Sequence, residues 1–275
     1  MMRALLVLAL LILAACGPDG SSNAAKQSVY DKVIASNTIR CGYAVYPPYF
    51  VKTPDGQLGG PAYDVMQEVG KRLNLKVDYV TEVGWGTVVD DLRTNKIDMA
   101  CSFFWANTNR GRWIEFSQPL WFDQLWAYVR GNDNRVWDAY EAFNRPDIKV
   151  AVTDGGAEVK VVQIHFPNAQ QVSIPELAPV SDFLETVATG KADFLTIDAN
   201  TAGLYDASNP GKLKRVPLEQ PVHVFPGVYL LPPGDFRFKS MIDTALREMD
   251  LDGALGKILE KHGLTDKVRR ATYMQ

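Results

Sequence analysis

The chain has 275 residues, with 29 basic against 32 acidic side chains and a formal net charge of −3. That near balance, with no basic stripe, argues against nucleic acid as a partner. The three histidines, His165, His223 and His262, stand apart from one another and from any cysteine spacing, which argues against a metal site, and no cofactor is implied.

Residues 1–15 carry one early cation, Arg3, and then a nearly unbroken apolar run, too short to span a bilayer, that reads as a signal peptide. Leu13-Ala14-Ala15-Cys16 resembles a lipobox, in which Cys16 takes the lipid and becomes the mature N-terminus. The alternative is ordinary signal cleavage beside an incidental cysteine. Residues 16–28, rich in Gly, Ser and Asn, fit a flexible tether behind an anchor. No later apolar stretch is long enough to cross a membrane.

From Ser28 onward helical and extended patterns alternate. Val29 to Ser36 predicts a helix and Thr38 to Tyr43 a strand. Asp64 to Leu73 has Val65, Met66, Val69 and Leu73 at helical spacing, introduced by the Gly59-Gly60-Pro61 turn. Lys76 to Val80 alternates as a strand, Trp85 to Arg93 predicts a helix, and Ile97 to Phe104 is an apolar run that predicts a buried strand. This β-α-β-α-β order implies a parallel sheet covered by helices. Cys41 and Cys101 fall in two of those strands, and a disulfide and a pair of buried thiols remain equally open.

After Pro119 the chain is dense in aromatics and crosses towards a second lobe near Trp121 to Asp123. Lys149 to Thr153 predicts a strand that ends in Asp154-Gly155-Gly156-Ala157-Glu158 and a helix from Val159 to Phe166. A glycine turn into a helix start presents N–H groups suited to an anion. A helix over Ser181 to Thr189 and a strand over Ala192 to Ile197, ending at Asp198, follow. The return runs through Leu213 to Phe225, then a strand at Val228 to Leu231 and helices at Phe238 to Met249 and Ala254 to His262. The expected organisation is two lobes joined by two crossings, with lobe 1 at 29–121 and 224–275 and lobe 2 at 122–223.

Four segments resemble, in order, the polar-amino-acid solute-binding proteins of ABC importers, which have a type II periplasmic binding fold. They are Ile39-Arg-Cys-Gly42 running to Tyr46-Pro-Pro48, Tyr63-Asp64-Val-Met, Lys96-Ile-Asp98 running through Arg110 to Phe116-Ser117, and Gly190-Lys-Ala-Asp193 running to Asp198. The resemblance implies a two-lobed α/β fold with a hinged cleft and a monomer that closes on a small ligand. It further implies delivery to an ABC permease from a periplasmic or cell-surface location. It places a ligand carboxylate on Arg110, with Thr108 close by and the turn Gly155, Gly156 and Ala157 opposite, and a ligand ammonium on Asp198. An Arg fork suits the two oxygens of a carboxylate, and a zwitterion sheds its water only onto fixed opposite charges.

Tyr46 and Tyr63 stand where the family has aromatic walls, whereas Tyr49 and Phe50 read as core packing. Phe103 and Trp105 replace small polar residues common in the family, so they either enrich the cleft in π-faces or pack inward. Gly155-Gly156 lacks the hydroxyl that the family often has there. Cyclohexadienyl dehydratases also resemble the chain over Gly190 to Leu204 and Tyr229-Leu-Leu-Pro. Where those enzymes have a glutamic acid this chain has Thr201, with Asn200 beside it, and a threonine is no useful acid at neutral pH. Binding without chemistry is therefore the expectation. Such an enzyme, or a sensory or oxidoreductase-associated binding protein, is the alternative.

Overall fold

A computed structural model describes residues 27–264 and Val268. The stretch expected to be a signal peptide, Cys16 and most of the expected tether lie outside the described residues.

The first part of the chain forms α1 (Val29–Ser36), β1 (Thr38–Tyr43), the short hairpin β2 (Val51–Lys52) and β3 (Leu58–Gly59), α2 (Pro61–Leu73) and β4 (Lys76–Glu82). It continues with α3 (Val88–Arg93), β5 (Met99–Trp105), α4 (Thr108–Gly111) and β6 (Glu115–Phe116). The long strand β7 (Trp121–Arg130) leads to β8 (Lys149–Thr153), α5 (Glu158–His165), β9 (Gln170–Ile174), α6 (Val180–Ala188), β10 (Phe194–Asp198), α7 (Ala199–Ser208) and β11 (Leu213–Arg215). A second long strand, β12 (His223–Leu231), returns to α8 (Phe236–Leu251) and α9 (Ala254–Lys261).

One sheet runs through the molecule in the order β4-β1-β5-β12-β7-β10-β8-β9. Its middle pair, β12 and β7, is antiparallel, with Gly227 opposite Trp121 and His223 opposite Leu125. On one side β12 continues to β5, and on the other β7 continues to β10. The two lobes thus share a sheet whose central strands are the crossings. Every residue of β5 is buried, as the unbroken apolar run requires. Cys41 on β1 and Cys101 on β5 are disulfide-bonded, with Cα atoms 5.5 Å apart. Closing a loop over a separation of 60 residues stabilises the fold by about 4 kcal/mol in chain-entropy terms.

The expected elements shift at their ends for local reasons. The expected helix at Trp85 begins instead at Val88, because Gly86 and Thr87 give their N–H groups to Glu176 of the other lobe, at 2.8 and 3.2 Å. The strand expected from Ile97 begins at Met99, since Asp98 is committed to Arg40, accepting its backbone N–H at 2.8 Å and its guanidinium at 2.7 Å. The helix expected from Asp64 begins earlier, at Pro61, whose fixed φ suits a first turn. Strand β9 and helix α7 had no expectation. In α7 the apolar residues do not share one face, and its start is fixed by Asp198, which caps it.

Candidate functional site

The turn after β1 folds back on itself. Tyr46 N–H donates to Phe50 O at 2.9 Å, and Tyr49 N–H to Tyr46 O at 2.9 Å. This stacks the two tyrosine rings 5.7 Å apart and sends both hydroxyls to one carboxylate. Tyr46 donates to Asp198 Oδ2 at 2.7 Å, and the Tyr49 hydroxyl lies 3.0 Å from Asp198 Oδ1. Asp198 ends β10 and also accepts the N–H groups of Asn200 and Thr201 at 3.0 and 2.9 Å, as an N-cap does.

A second buried acid, Asp123 on β7, meets the same hydroxyl. Its Oδ1 lies 3.0 Å from Tyr49 Oη, while its Oδ2 accepts the Trp105 indole N–H at 3.0 Å. Asn200 Nδ2 donates to Tyr49 Oη at 2.8 Å. A phenol has one hydrogen to give, so it satisfies one carboxylate, and the other contact needs a proton on the acid. Asp198 already has three other donors and takes the tyrosine hydrogen. Asp123 has only the indole, so a proton retained by the pair sits more easily on its Oδ1, facing Tyr49. Burial, and then the neighbouring Asp198 charge, push the Asp123 carboxyl well above the usual carboxylate range.

Arg110 follows the Asn107 cap of α4 and is buried. Its Nη1 donates to Trp105 O at 3.1 Å, and its Nη2 to Trp85 O at 2.9 Å and, across the lobes, to Gly155 O at 3.3 Å. Burial draws the guanidinium down to about 10, opposed by the Glu158 charge, and leaves it cationic at neutral pH. Glu158 is also buried, its Oε1 accepting Thr153 N–H at 2.8 Å, and burial raises its carboxyl.

These groups enclose a cavity of about 40 Å³ between the lobes. Tyr46, Trp85, Phe103 and Trp105 form its aromatic side, Arg110 one polar end, and Gly156, Ala157, Glu158, Thr153 and Thr196 the facing lobe. Phe103 stacks on Trp121 at 4.5 Å and Tyr49 at 4.8 Å, and Trp105 stacks on Phe225 at 5.4 Å. Both are therefore packed and cavity-lining at once, while Phe104 joins a core on the opposite side of the sheet.

Of the residues singled out in the sequence, the fold brings Arg110, Tyr46, Phe103, Trp105, Gly156 and Ala157 to one cavity. Asp198 lies behind Tyr46, and Gly155 faces Arg110 with its carbonyl. The turn itself differs from a row of free N–H groups, since Gly156 N–H donates to Thr153 O at 2.9 Å. Two residues are not brought there. Tyr63, in the first turn of α2, stacks on Tyr79 of β4 at 5.2 Å, and Thr108 is exposed on the outer face of α4. Sequence reading passed over Tyr49, Asp123, Trp85, Glu158 and Thr196. A lone acid within the aromatic run Trp121 to Trp126 was the available signal for Asp123.

Residues 39–265 match the family described as bacterial extracellular solute-binding proteins, family 3. The chain is 26% identical to cyclohexadienyl dehydratase of Pseudomonas aeruginosa over 86% of each chain. It is 22% identical to the L-cystine-binding protein TcyA of Bacillus subtilis, over 95% of this chain and 97% of that one. Among solved structures, an ancestral amino acid-binding protein described as a precursor of cyclohexadienyl dehydratase superposes with a TM-score of 0.74 at 24% identity, covering 86% of this chain and 99% of that one. An ancestral arginine-binding protein bound to arginine gives 0.72 at 23% identity, covering 82% and 97%. Both are similar in fold, a two-lobed periplasmic binding fold.

The raised Asp123 carboxyl sets a pH dependence. Its contribution to stability is complete below the ordinary carboxylate value of about 3.9 and is lost as pH rises towards its folded value, at up to about 1.4 kcal/mol per pH unit. Asp123→Asn keeps the carbonyl for Trp105 and an N–H for Tyr49, but has nothing to ionise. Urea unfolding between pH 4 and 8 should therefore show the variant gaining on the wild type as pH rises. Parallel pH profiles would contradict a protonated Asp123.

Proposed function

The chain belongs to the family 3 bacterial extracellular solute-binding proteins, and from that premise we propose that it captures a small amino acid or close analogue outside the cytoplasmic membrane and hands it to an ABC importer. The observation that carries this reading is a pair of buried groups on opposite lobes, with Arg110 lining the aromatic cavity and Asp198 directly behind its Tyr46 wall. The ligand carboxylate takes the Arg110 fork, and its ammonium takes Asp198 in place of the tyrosine hydroxyls. Phe103, Trp105 and Tyr46 give the cleft π-faces, which favour a ligand carrying an aromatic ring or an amine besides its carboxylate. Gly155, Gly156 and Ala157 form the wall opposite Arg110. Tyr63 and Thr108 are left out of the site, because neither faces the cavity.

A cavity of about 40 Å³ holds one or two waters, far less than an amino acid. Ligand entry therefore needs the lobes to part, with β7 and β12 bending as the hinge. In parting, Arg110 releases Gly155 O, and Asp198 releases Tyr46 and Tyr49. The same groups then close on the ligand. Lipid attachment at Cys16 is part of this reading, tethering the protein at the membrane while the cleft samples solute. Among the described residues no helix is long and apolar enough to cross a membrane.

A dehydratase reading has one observation in its favour beside the 26% identity. Glu158 is a buried acid with a raised carboxyl at the cavity, the kind of group that protonates a leaving hydroxyl. The two readings separate in one experiment. A thermal-shift screen of the common amino acids selects a ligand, and calorimetry then compares wild type with Arg110→Ala, with circular dichroism confirming the fold. Loss of about 100-fold or more in affinity is expected, since stripping a buried charge of its partner costs roughly 3–5 kcal/mol. Unchanged affinity would contradict the Arg110 role. A cyclohexadienyl carboxylate incubated with the protein should be recovered unchanged, and an aromatic product in the ultraviolet spectrum would establish the enzyme instead. In the native host, Cys16→Ser should move the protein from the membrane fraction to the soluble one, and retention in the membrane fraction would contradict lipidation there.

A further inference from the structure

Buried polar side chains almost always spend their hydrogen-bonding groups, so an unspent one needs a reason. Among the described residues, five buried side-chain polar atoms have no partner: Tyr79 Oη, Trp121 Nε1, Arg130 Nε, Trp137 Nε1 and Thr196 Oγ1. Of these residues only Thr196 lines the cleft cavity, and it is 1% exposed. It lies on β10 two residues before Asp198, so the two side chains leave the same face of the strand. Packing alone would favour valine at such a position.

Glu158 shares that cavity wall. Its carboxylate accepts Thr153 N–H at 2.8 Å, the Thr153 hydroxyl and its own backbone N–H, and it feels the Arg110 charge, whose fork is spent on carbonyl oxygens. The surrounding wall, from Ile174, Ala178, Val180 and Phe183, is apolar. A carboxylate oxygen and an unspent hydroxyl set in an apolar wall accept hydrogen bonds from whatever enters.

We propose that Thr196 and Glu158 form a second recognition subsite on lobe 2, which receives a hydrogen-bond-donating group of the ligand (an amine, amide or hydroxyl) distinct from the carboxylate that faces Arg110. This rests on the cleft being the ligand site, as read above. A ligand with a second carboxylate meets Glu158 as a like charge, and a wholly apolar one leaves the hydroxyl unpaired. The subsite is thus a filter for donors.

Thr196→Val keeps the shape of the side chain and removes the hydroxyl. Without ligand, Tm should hold or rise by roughly 2–4 °C, as follows when an unpaired buried hydroxyl is removed from a chain of this size. A fall in Tm would show a structural partner and overturn the subsite. Calorimetry then uses L-glutamine, L-lysine, L-leucine and L-glutamate as probes. Wild type should bind glutamine or lysine at least about tenfold tighter than leucine and glutamate, and Thr196→Val should lose about that margin while binding leucine at least as tightly as wild type. Glu158→Gln should reduce the penalty on glutamate. Binding with no margin for donors, or a margin that survives in Thr196→Val, would overturn the subsite alone. Failure of all four probes to bind wild type would count against the amino-acid reading and the subsite together.

Discussion

The Tyr49 hydroxyl, held between the carboxylates of Asp123 and Asp198, is the contact on which the rest of the cleft depends. Two acids buried this close cannot both be ionised at tolerable cost without a proton or cation between them. One phenol and one retained proton solve this. They also fix geometry, because each member reaches into a different part of the fold. Tyr49 comes from the first lobe, Asp123 from the crossing strand β7, and Asp198 from the end of β10 in the second lobe. The aromatic wall hangs on the same network, with Trp105 held by Asp123 and Tyr46 by Asp198.

Around this centre the lobes meet through groups that suit a reversible contact. Thr201 Oγ1 donates to Pro47 O at 3.0 Å, and Glu176 accepts two N–H groups from the loop before α3. Gly155 meets Gly86 so closely that a Cβ on it would lie 2.4 Å from backbone atoms of Gly86. Its φ of +71° is also a conformation that favours glycine. Polar contacts exchange for contacts with water or ligand at little net cost, whereas buried apolar area would not. The same logic explains the buried Arg110. Carbonyl oxygens solvate its charge without neutralising it, which is the basis for the proposal that a ligand carboxylate meets it.

Much of the fold was legible because hydrophobic pattern dictates it. The apolar run of β5 and the helical spacing of α2 follow directly from burial on both faces or on one. Arg110, Asp198 and Tyr46 were legible because each sits at a strand end or just past it, where side chains meet at a cleft. The hidden part consists of polar roles inside apolar surroundings. Tyr49 packs like a core ring, against Phe103 and Trp121, and only the fold shows where its hydroxyl points. Glu158 reads as an ordinary acid in a helix first turn, and Thr196 as one more β-branched strand residue. Tyr63 failed in the opposite sense, since a helix start near the cleft turns its ring towards β4. The disulfide was open in sequence because neighbouring parallel strands only sometimes bring Cα atoms within reach, and here they are 5.5 Å apart.

The shared proton can be seen directly by infrared difference spectroscopy of wild type against Asp123→Asn at neutral pH, with aspartate labelled in its side-chain carboxyl carbon. A protonated Asp123 predicts the carbonyl band of a carboxylic acid that moves with the label and vanishes in the variant. A spectrum with carboxylate bands alone in the wild type would contradict the proton between Asp123 and Asp198, and with it the proposed basis for holding the cleft together.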